Sequence, residues 1–275
     1  MTWIPVRPER AGALTDARLQ LHHAAQLAAA AGTSYLPPQP DDRHTNLEWL
    51  AGLGALASNL ITVNGATMRV AVRVSDLALL VIAGANEIRA SMPLGGRTME
   101  SAVAWLQREL SATGLRGDTY SLKRHYEIPA HAVATGAAFS ASADDLEQLR
   151  PWIANAASLL EKLRASTSGA SEVRCWPHHF DIATLITVRP GATVGVGLEL
   201  GDAYYAEPYF YVNAHPQPNR QSLPSSLRGG GHWHTHEWVG AVLPGSRVDA
   251  AATSPQLQVA EFVASAVAAC RLLLG

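Results

Sequence analysis

Lysine and cysteine are almost missing from this chain of 275 residues. Only Lys123 and Lys162 are lysines, and only Cys175 and Cys270 are cysteines. Two cysteines cannot build a disulfide framework, so a hydrophobic core must hold the fold together. The 21 basic and 23 acidic residues nearly cancel. Because a nucleic-acid-binding surface needs a basic face, this balance predicts that nucleic acid is not a partner.

Long apolar runs are also missing. The longest uninterrupted run, around Leu77 to Ala85, is about half as long as a membrane-spanning helix requires and predicts a buried strand. The first eight residues lack the positive start and the apolar stretch of a secretory signal. We therefore expect a cytoplasmic protein that has no membrane partner.

Apolar residues are nevertheless plentiful, and their spacing predicts the secondary structure. Hydrophobic residues make up 48% of the chain and charged residues 16%, a composition that excludes intrinsic disorder. Helical spacing follows a cap at Thr15 or Asp16, and it returns over Met99–Leu110, Ser142–Leu163 and the residues after Ser254. Leu47–Leu56 favours a short helix or turn. Alternating residues predict strands at Met68–Val74, Leu77–Ile82, Ile88–Met92, Ile182–Val188, Val194–Leu200, Tyr209–Val212 and Gly240–Leu243, with a further strand through His232–Trp238.

The order of these elements predicts the fold class. Strands that cluster, rather than alternate singly with helices, indicate an α+β protein with mostly antiparallel sheets flanked by long helices. The order helix, strands, helix occurs twice, which predicts two similar halves. We place an N-terminal half at residues 1–135 and a C-terminal half, which carries the histidine cluster, at residues 136–275. One co-extensive domain is the alternative.

Several short motifs occur in an order that resembles a bacterial family catalogued only as a domain of unknown function. The motifs are His22, Pro37-Pro38, His44, Glu127-Ile128-Pro129, Phe180-Asp181, Glu207-Pro208 with Phe210-Tyr211, and Leu243-Pro244. The resemblance implies a single unit from about Leu21 to the last helix, and it implies no activity. It makes His22 and His44 candidate functional residues. This chain departs from the family pattern in having His178-His179 before the Phe-Asp pair and more histidine around His234.

Five of the eleven histidines lie in two short segments, and this clustering suggests a metal site. If His232, His234 and His236 lie on a strand, they share a face at a spacing of about 6.7 Å. His179 and Asp181 share a face in the same way, so either could supply a further ligand. Imidazole and carboxylate donors suit zinc, and two histidines with a carboxylate suit non-haem iron. The pattern predicts a mononuclear metal site.

Glu237 completes the metal hypothesis. In an ideal strand it faces away from His236, which makes it a poor ligand but a candidate acid or base. A bound metal would activate water or polarise a carbonyl of a small substrate, as in a hydrolase or an oxygenase. The sequence does not decide between these reactions, and it leaves open whether the protein is an enzyme.

The alternative is a binding module that uses no metal. The histidines beside Gly229-Gly230-Gly231 can simply pack and hydrogen-bond around a loop. Aromatic residues close to Glu207 can line a recognition pocket for a small molecule or a protein. The sequence also leaves an oligomer open. The candidate pocket residues are Trp176, Glu207, Tyr209, Tyr211 and Trp233.

Overall fold

The computed structural model describes Trp3, residues 11–248 and residues 254–275. These residues form four α-helices and two antiparallel sheets of six strands each, which confirms the predicted α+β class. Apart from Trp3, the first eight residues, which carry the expectation of no secretory signal, lie outside the described part of the chain.

The helices and strands cover most of the predicted segments. The helices are α1 (Ala11–Tyr35), α2 (Met99–Ala112), α3 (Ala143–Ser166) and α4 (Pro255–Leu274). The strands are β1 (Glu48–Leu50), β2 (Ala55–Ala57), β3 (Ile61–Val63), β4 (Ala66–Arg73), β5 (Ala78–Ala83), β6 (Glu87–Pro93), β7 (Arg174–Trp176), β8 (Asp181–Arg189), β9 (Ala192–Glu199), β10 (Tyr209–His215), β11 (His232–His234) and β12 (Gly240–Pro244).

The contacts divide the chain into two compact units. The N-terminal unit comprises Asp16–Arg150 and Cys175–Phe180. The C-terminal unit comprises the start of the chain to Thr15, Pro151–Arg174 and Asp181–Gly275. The predicted domain boundary at residue 135 and the similarity of the two halves stay predictions.

The sheet of the N-terminal unit has the order β1-β2-β4-β5-β6, with β3 beside β4. The helix predicted as one alternative at Leu47–Leu56 is wrong, because this segment forms the hairpin of β1 and β2, with a turn at residues 51–54. Burial explains the difference: Ala55, Leu56 and Ala57 are at most 1% exposed, and β2 pairs with β4 as well as with β1. Tertiary pairing of a buried segment overrides its local preference.

Both faces of β4 are buried over most of its length, although arginine alternates with apolar residues along it. Arg69 is only 7% exposed. Its Nε donates to the Ser58 carbonyl at 2.7 Å, and its Nη2 donates to the Glu48 carboxylate. A charged side chain can be buried in this way because hydrogen bonds and an opposite charge replace its water shell.

In the C-terminal unit, α4 contacts one sheet through β9, β10 and β12. The helix begins where the sequence predicted, since Ser254 Oγ accepts from Leu257 N at 3.1 Å and Pro255 occupies the first turn. Among the described residues, α4 is one helix that is long and apolar enough to cross a membrane by length and composition. One face of the helix packs in the core, with Val259, Phe262 and Ala266 fully buried.

Candidate functional site

One face of the C-terminal sheet carries an unusual number of polar side chains. Asp181 on β8, Glu199 on β9 and Tyr209 on β10 lie opposite one another in register. Directly opposed residues share a face of an antiparallel sheet, as do residues two apart on one strand. Asp181, Glu199 and Tyr209 are each less than 10% exposed. The face therefore places carboxylates and phenols together in a buried setting.

Tyr211 reaches across a strand to hydrogen-bond Asp181. Its hydroxyl donates to Asp181 Oδ2, although β9 lies between their strands. The ring can cross because Gly197 stands opposite Tyr211 on β9. A Cβ on Gly197 would lie 2.6 Å from Tyr211 Oη, which is closer than real atoms approach. Gly197 therefore allows the Tyr211 side chain to approach the backbone of β9 closely.

A second carboxylate organises the loop that follows β9. Asp202 Oδ1 accepts from the backbone N–H groups of Tyr204 and Tyr205 at 2.7 and 2.8 Å. Its other oxygen accepts from the Tyr209 hydroxyl at 2.7 Å. This turn, closed by an aspartate side chain, holds Tyr204 and Tyr205 at the end of the polar face.

Glu207 organises the turn that presents Arg247. Its carboxylate accepts from Ser246 N at 2.5 Å and from Ser246 Oγ at 2.8 Å. Ser246 lies in the short 3-10 turn Gly245–Arg247, directly after β12. These contacts position the neighbouring Arg247, and the role of Glu207 in lining a pocket stays a prediction.

Arg247, His232, Tyr205 and His234 form a hydrogen-bonded chain, which we call the tyrosine–histidine site. Arg247 Nη1 lies 3.3 Å from His232 Nδ1. Tyr205 Oη lies 3.2 Å from His232 Nε2 and 3.0 Å from His234 Nδ1. His234 Nε2 lies 2.6 Å from the His236 carbonyl oxygen. Every ring nitrogen of the two histidines therefore has a partner.

The chemistry of the two ends sets the direction of every hydrogen bond in this chain. A carbonyl oxygen only accepts, so His234 Nε2 carries a proton, and in the neutral ring its Nδ1 then accepts from the Tyr205 hydroxyl. A guanidinium only donates, so His232 Nδ1 accepts from Arg247 and the His232 Nε2–H donates to Tyr205 Oη. His232 is thus neutral, and the neutral form of His234 that fits its contacts carries the proton on Nε2, as His232 does. Burial first, and then the charge of Arg247, lowers the pKa of His232, in agreement with a neutral ring.

An aromatic stack continues the site from His234. The His234 and Trp238 rings stack with centroids 4.4 Å apart, and the Tyr204 ring meets His234 edge-on at 5.2 Å. Tyr204 is 41% exposed, and its hydroxyl donates to Glu237. The stack therefore offers ring surface to solvent, next to the hydrogen-bonded chain.

The predicted strand through His232–Trp238 is shorter than expected. It ends at His234, and the backbone turns at Glu237, whose φ is +64°. Because the strand ends there, His236 and Glu237 do not continue the strand alternation on which their predicted roles rested. Glu237 accepts from Tyr204, and His236 is exposed and contributes its carbonyl to His234.

The predicted convergence of metal ligands is not found. Among residues 11–248 and 254–275, with Trp3, no group of three or more His, Cys, Asp or Glu side chains is arranged to hold a metal ion. His232 and His234 bond Tyr205, while Asp181 bonds Tyr211. The ring of His179, in the N-terminal unit, packs 4.3 Å from that of His178.

The remaining predicted residues have structural partners. In the N-terminal unit, the His22 ring stacks on Phe180 at 4.6 Å and its Nε2 donates to the Pro177 carbonyl at 2.8 Å. His44 Nδ1 accepts from Gln39 N at 3.2 Å. The Trp176 ring meets His178 edge-on. In the C-terminal unit, Trp233 Nε1 donates to the Pro224 carbonyl at 2.9 Å.

A cavity of about 370 Å³ lies in the N-terminal unit, and no predicted site residue lines it. Its walls come from β4, β5, β6 and the end of α2. They are mostly apolar, with Arg89 and Glu109 as the charged members; the remaining lining residues are Ala66, Met68, Val81, Ala83, Ala90, Ala112 and Thr113.

Sequence reasoning missed Arg247, Asp202 and Trp238 as members of the site, and it did not assign Tyr205 its central role. One signal was available in the sequence. Asp202 precedes Tyr204 and Tyr205 by two and three residues, and this spacing is typical of a turn closed by an aspartate side chain. The alternation of Gly195 and Gly197 on one strand was a second, since such glycines mark a close approach.

Comparison with protein-family models, with curated proteins and with solved structures finds no match to this chain. The resemblance to a bacterial family therefore stays a prediction.

Proposed function

We propose that the tyrosine–histidine site binds a small organic anion that carries an aromatic ring, and that the protein acts as a binding module without a metal. The observation that carries this proposal is the hydrogen-bonded chain itself. It engages every ring nitrogen of His232 and His234, and it runs from an exposed cation to an exposed aromatic stack.

Arg247 supports the anionic part of the ligand. Its side chain is exposed, and Glu207 holds the turn from which it projects. A guanidinium presents a planar fork of donors that matches a carboxylate or a phosphate. With one donor committed to His232, the guanidinium still has others for a ligand oxygen.

Tyr204 and Trp238 support the aromatic part of the ligand. The exposed ring of Tyr204 and the Trp238 ring stacked on His234 form a surface on which a planar group can lie. Aromatic faces hold such groups through offset or edge-on contacts worth about 0.5–1.5 kcal/mol each. Tyr209, predicted from the sequence to line a pocket, contributes indirectly through its hydrogen bond to Asp202.

The donor chemistry explains why the proposal omits zinc and iron. A metal would need lone pairs on the imidazoles, and His232 Nδ1 and His234 Nδ1 already use theirs for Arg247 and Tyr205. Coordination there would deprive the half-buried Tyr205 hydroxyl of its acceptor.

The test uses 3-phenylpropionate and indole-3-propionate as probes, with their primary amides as uncharged controls. At about ten times its Kd, a carboxylate should stabilise the protein by about 1.4 kcal/mol and raise Tm by about 3–6 °C. Arg247→Gln should abolish the rise. Arg116→Gln, at an arginine whose side chain is 82% exposed, should preserve it. Equal shifts in the two variants, or no shift with either carboxylate, would contradict the proposal.

A further inference from the structure

The outward face of α4 exposes large apolar side chains at both ends. Leu257 is 59% exposed and Leu272 is 83% exposed. Exposed leucines on one helix face are a recurring feature of association surfaces, since covering them removes apolar area from water. Helical spacing puts both leucines on one face, together with the exposed residues Ala260, Glu261, Ala264, Ala268 and Arg271.

The same face carries one acidic and one basic residue. Glu261 and Arg271 are ten residues apart, which is about 15 Å along a helix. Side chains pair along a helix only at three or four residues' separation, so these two cannot meet within one α4. Among the described residues, neither of the two side chains is in a salt bridge.

The two charged residues and two of the alanines on this face are placed symmetrically about Ala266. Glu261 and Arg271 lie five residues before and after Ala266, and Ala264 and Ala268 lie two residues before and after it. If a second α4 packs antiparallel with its Ala268 opposite Ala264, Arg271 of that copy falls opposite Glu261. The same register places Leu272 of one copy opposite Ala260 of the other, about 4.5 Å along the helix axis from its Leu257, and the alanines let the helices approach closely.

We propose that the protein forms a homodimer through the outward face of α4, with the two helices antiparallel. The occupant is a second copy because the charges are self-complementary: each Glu261 meets an Arg271 under a two-fold axis, as an isologous interface requires. A different partner would need its own matching pattern, whereas this face supplies both halves. One helix face is small for an interface, so the dimer should be weak, with Kd of about 10–100 µM.

Analytical ultracentrifugation of the full chain from about 5 to 500 µM, spanning the expected Kd, tests the proposal. Leu272→Glu should leave only monomer, while Leu60→Glu, at a leucine that is 48% exposed elsewhere, should leave Kd unchanged. Glu261→Arg and Arg271→Glu should each weaken the dimer by about tenfold, since each places two like-charged pairs in the interface. The double variant E261R/R271E should restore Kd to within about threefold of the original, because it exchanges the partners of each pair.

Three results would overturn the proposal. The chain could be monomeric over the whole range, or it could dimerise with equal Kd in Leu272→Glu. The double charge exchange could fail to restore association. A flotation assay with phosphatidylcholine vesicles tests whether a lipid surface covers this face. Binding of the monomer to vesicles that depends on Leu272 would assign the face to a lipid surface instead of a second copy.

Discussion

Gly197→Ala should destabilise the protein through one side chain, Tyr211. The added Cβ would lie 2.6 Å from the Tyr211 hydroxyl oxygen and 2.7 Å from two of its ring carbons. The Tyr211 ring is rigid and cannot bend aside as the tip of a long side chain can. It must therefore tilt away from β9. Tilting withdraws the hydroxyl from Asp181.

The magnitude follows from two losses and one gain. A hydrogen bond to a buried carboxylate is worth about 1.5–3 kcal/mol, and overpacking a close contact costs about 1–3 kcal/mol. Replacing a strand glycine by alanine returns about 0.5–1 kcal/mol through the unfolded chain. The net loss in the free energy of unfolding should therefore be about 2–5 kcal/mol.

Urea denaturation followed by circular dichroism measures this loss. Gly52→Ala is the matched control, because a Cβ there meets no atom within 4 Å, and it should change stability by less than about 0.5 kcal/mol. In a Tyr211→Ala background, Gly197→Ala should cost nothing further, since the ring it strikes is gone. The reasoning is refuted if Gly197→Ala costs as little as the control, or costs the same with and without Tyr211.

Three further predictions concern the site and the core. Asp202→Ala should lower stability by about 2–3 kcal/mol in urea titrations, because the loop amides and the Tyr209 hydroxyl lose their acceptor; a loss below about 0.5 kcal/mol would contradict this role. Burial lowers the pKa of His22 to about 3, so below pH 6.5 the unfolded chain binds a proton that the folded chain does not. Stability should then fall by about 1.4 kcal/mol per pH unit. Wild type should lose about 1–2 kcal/mol more than His22→Gln between pH 7 and pH 5, and parallel profiles would refute this. Elemental measurement on untagged protein should find much less than one zinc or iron per chain, whereas stoichiometric metal that His234→Gln removes would revive the metal hypothesis.

The fold class followed from periodicity because burial in this protein is regular along most elements. The residues at helical spacing in α2 and the Ser254-Pro255 start of α4 were predicted correctly, since local capping and the core select the same structure there. Leu47–Leu56 failed because its short apolar run suits a helix as well as a strand. Only pairing with β4, distant in sequence, decides between the two.

The site was predicted in part. The pairing of His232 with His234 on one strand face was correct, because strand alternation alone sets it. Their common partner, Tyr205, arrives from a loop that Asp202 shapes, and Arg247 arrives from a turn that Glu207 shapes. Single-sequence periodicity says nothing about which loops meet, so the bridging phenol and the cation were not assigned. The end of the strand at His234, which removes His236 and Glu237 from the expected array, depends on the backbone turn at Glu237.

The protonation of two imidazoles tests the account most directly. Nitrogen-15 NMR of histidine-labelled protein at pH 7.5, assigned with His232→Gln and His234→Gln, reports which ring nitrogen carries the proton. The hydrogen-bonded chain predicts neutral rings with the proton on Nε2 in both His232 and His234, and loss of that ordering in Tyr205→Phe. A proton on Nδ1 of either ring, or a charged ring at this pH, would contradict the chain and the binding site built on it.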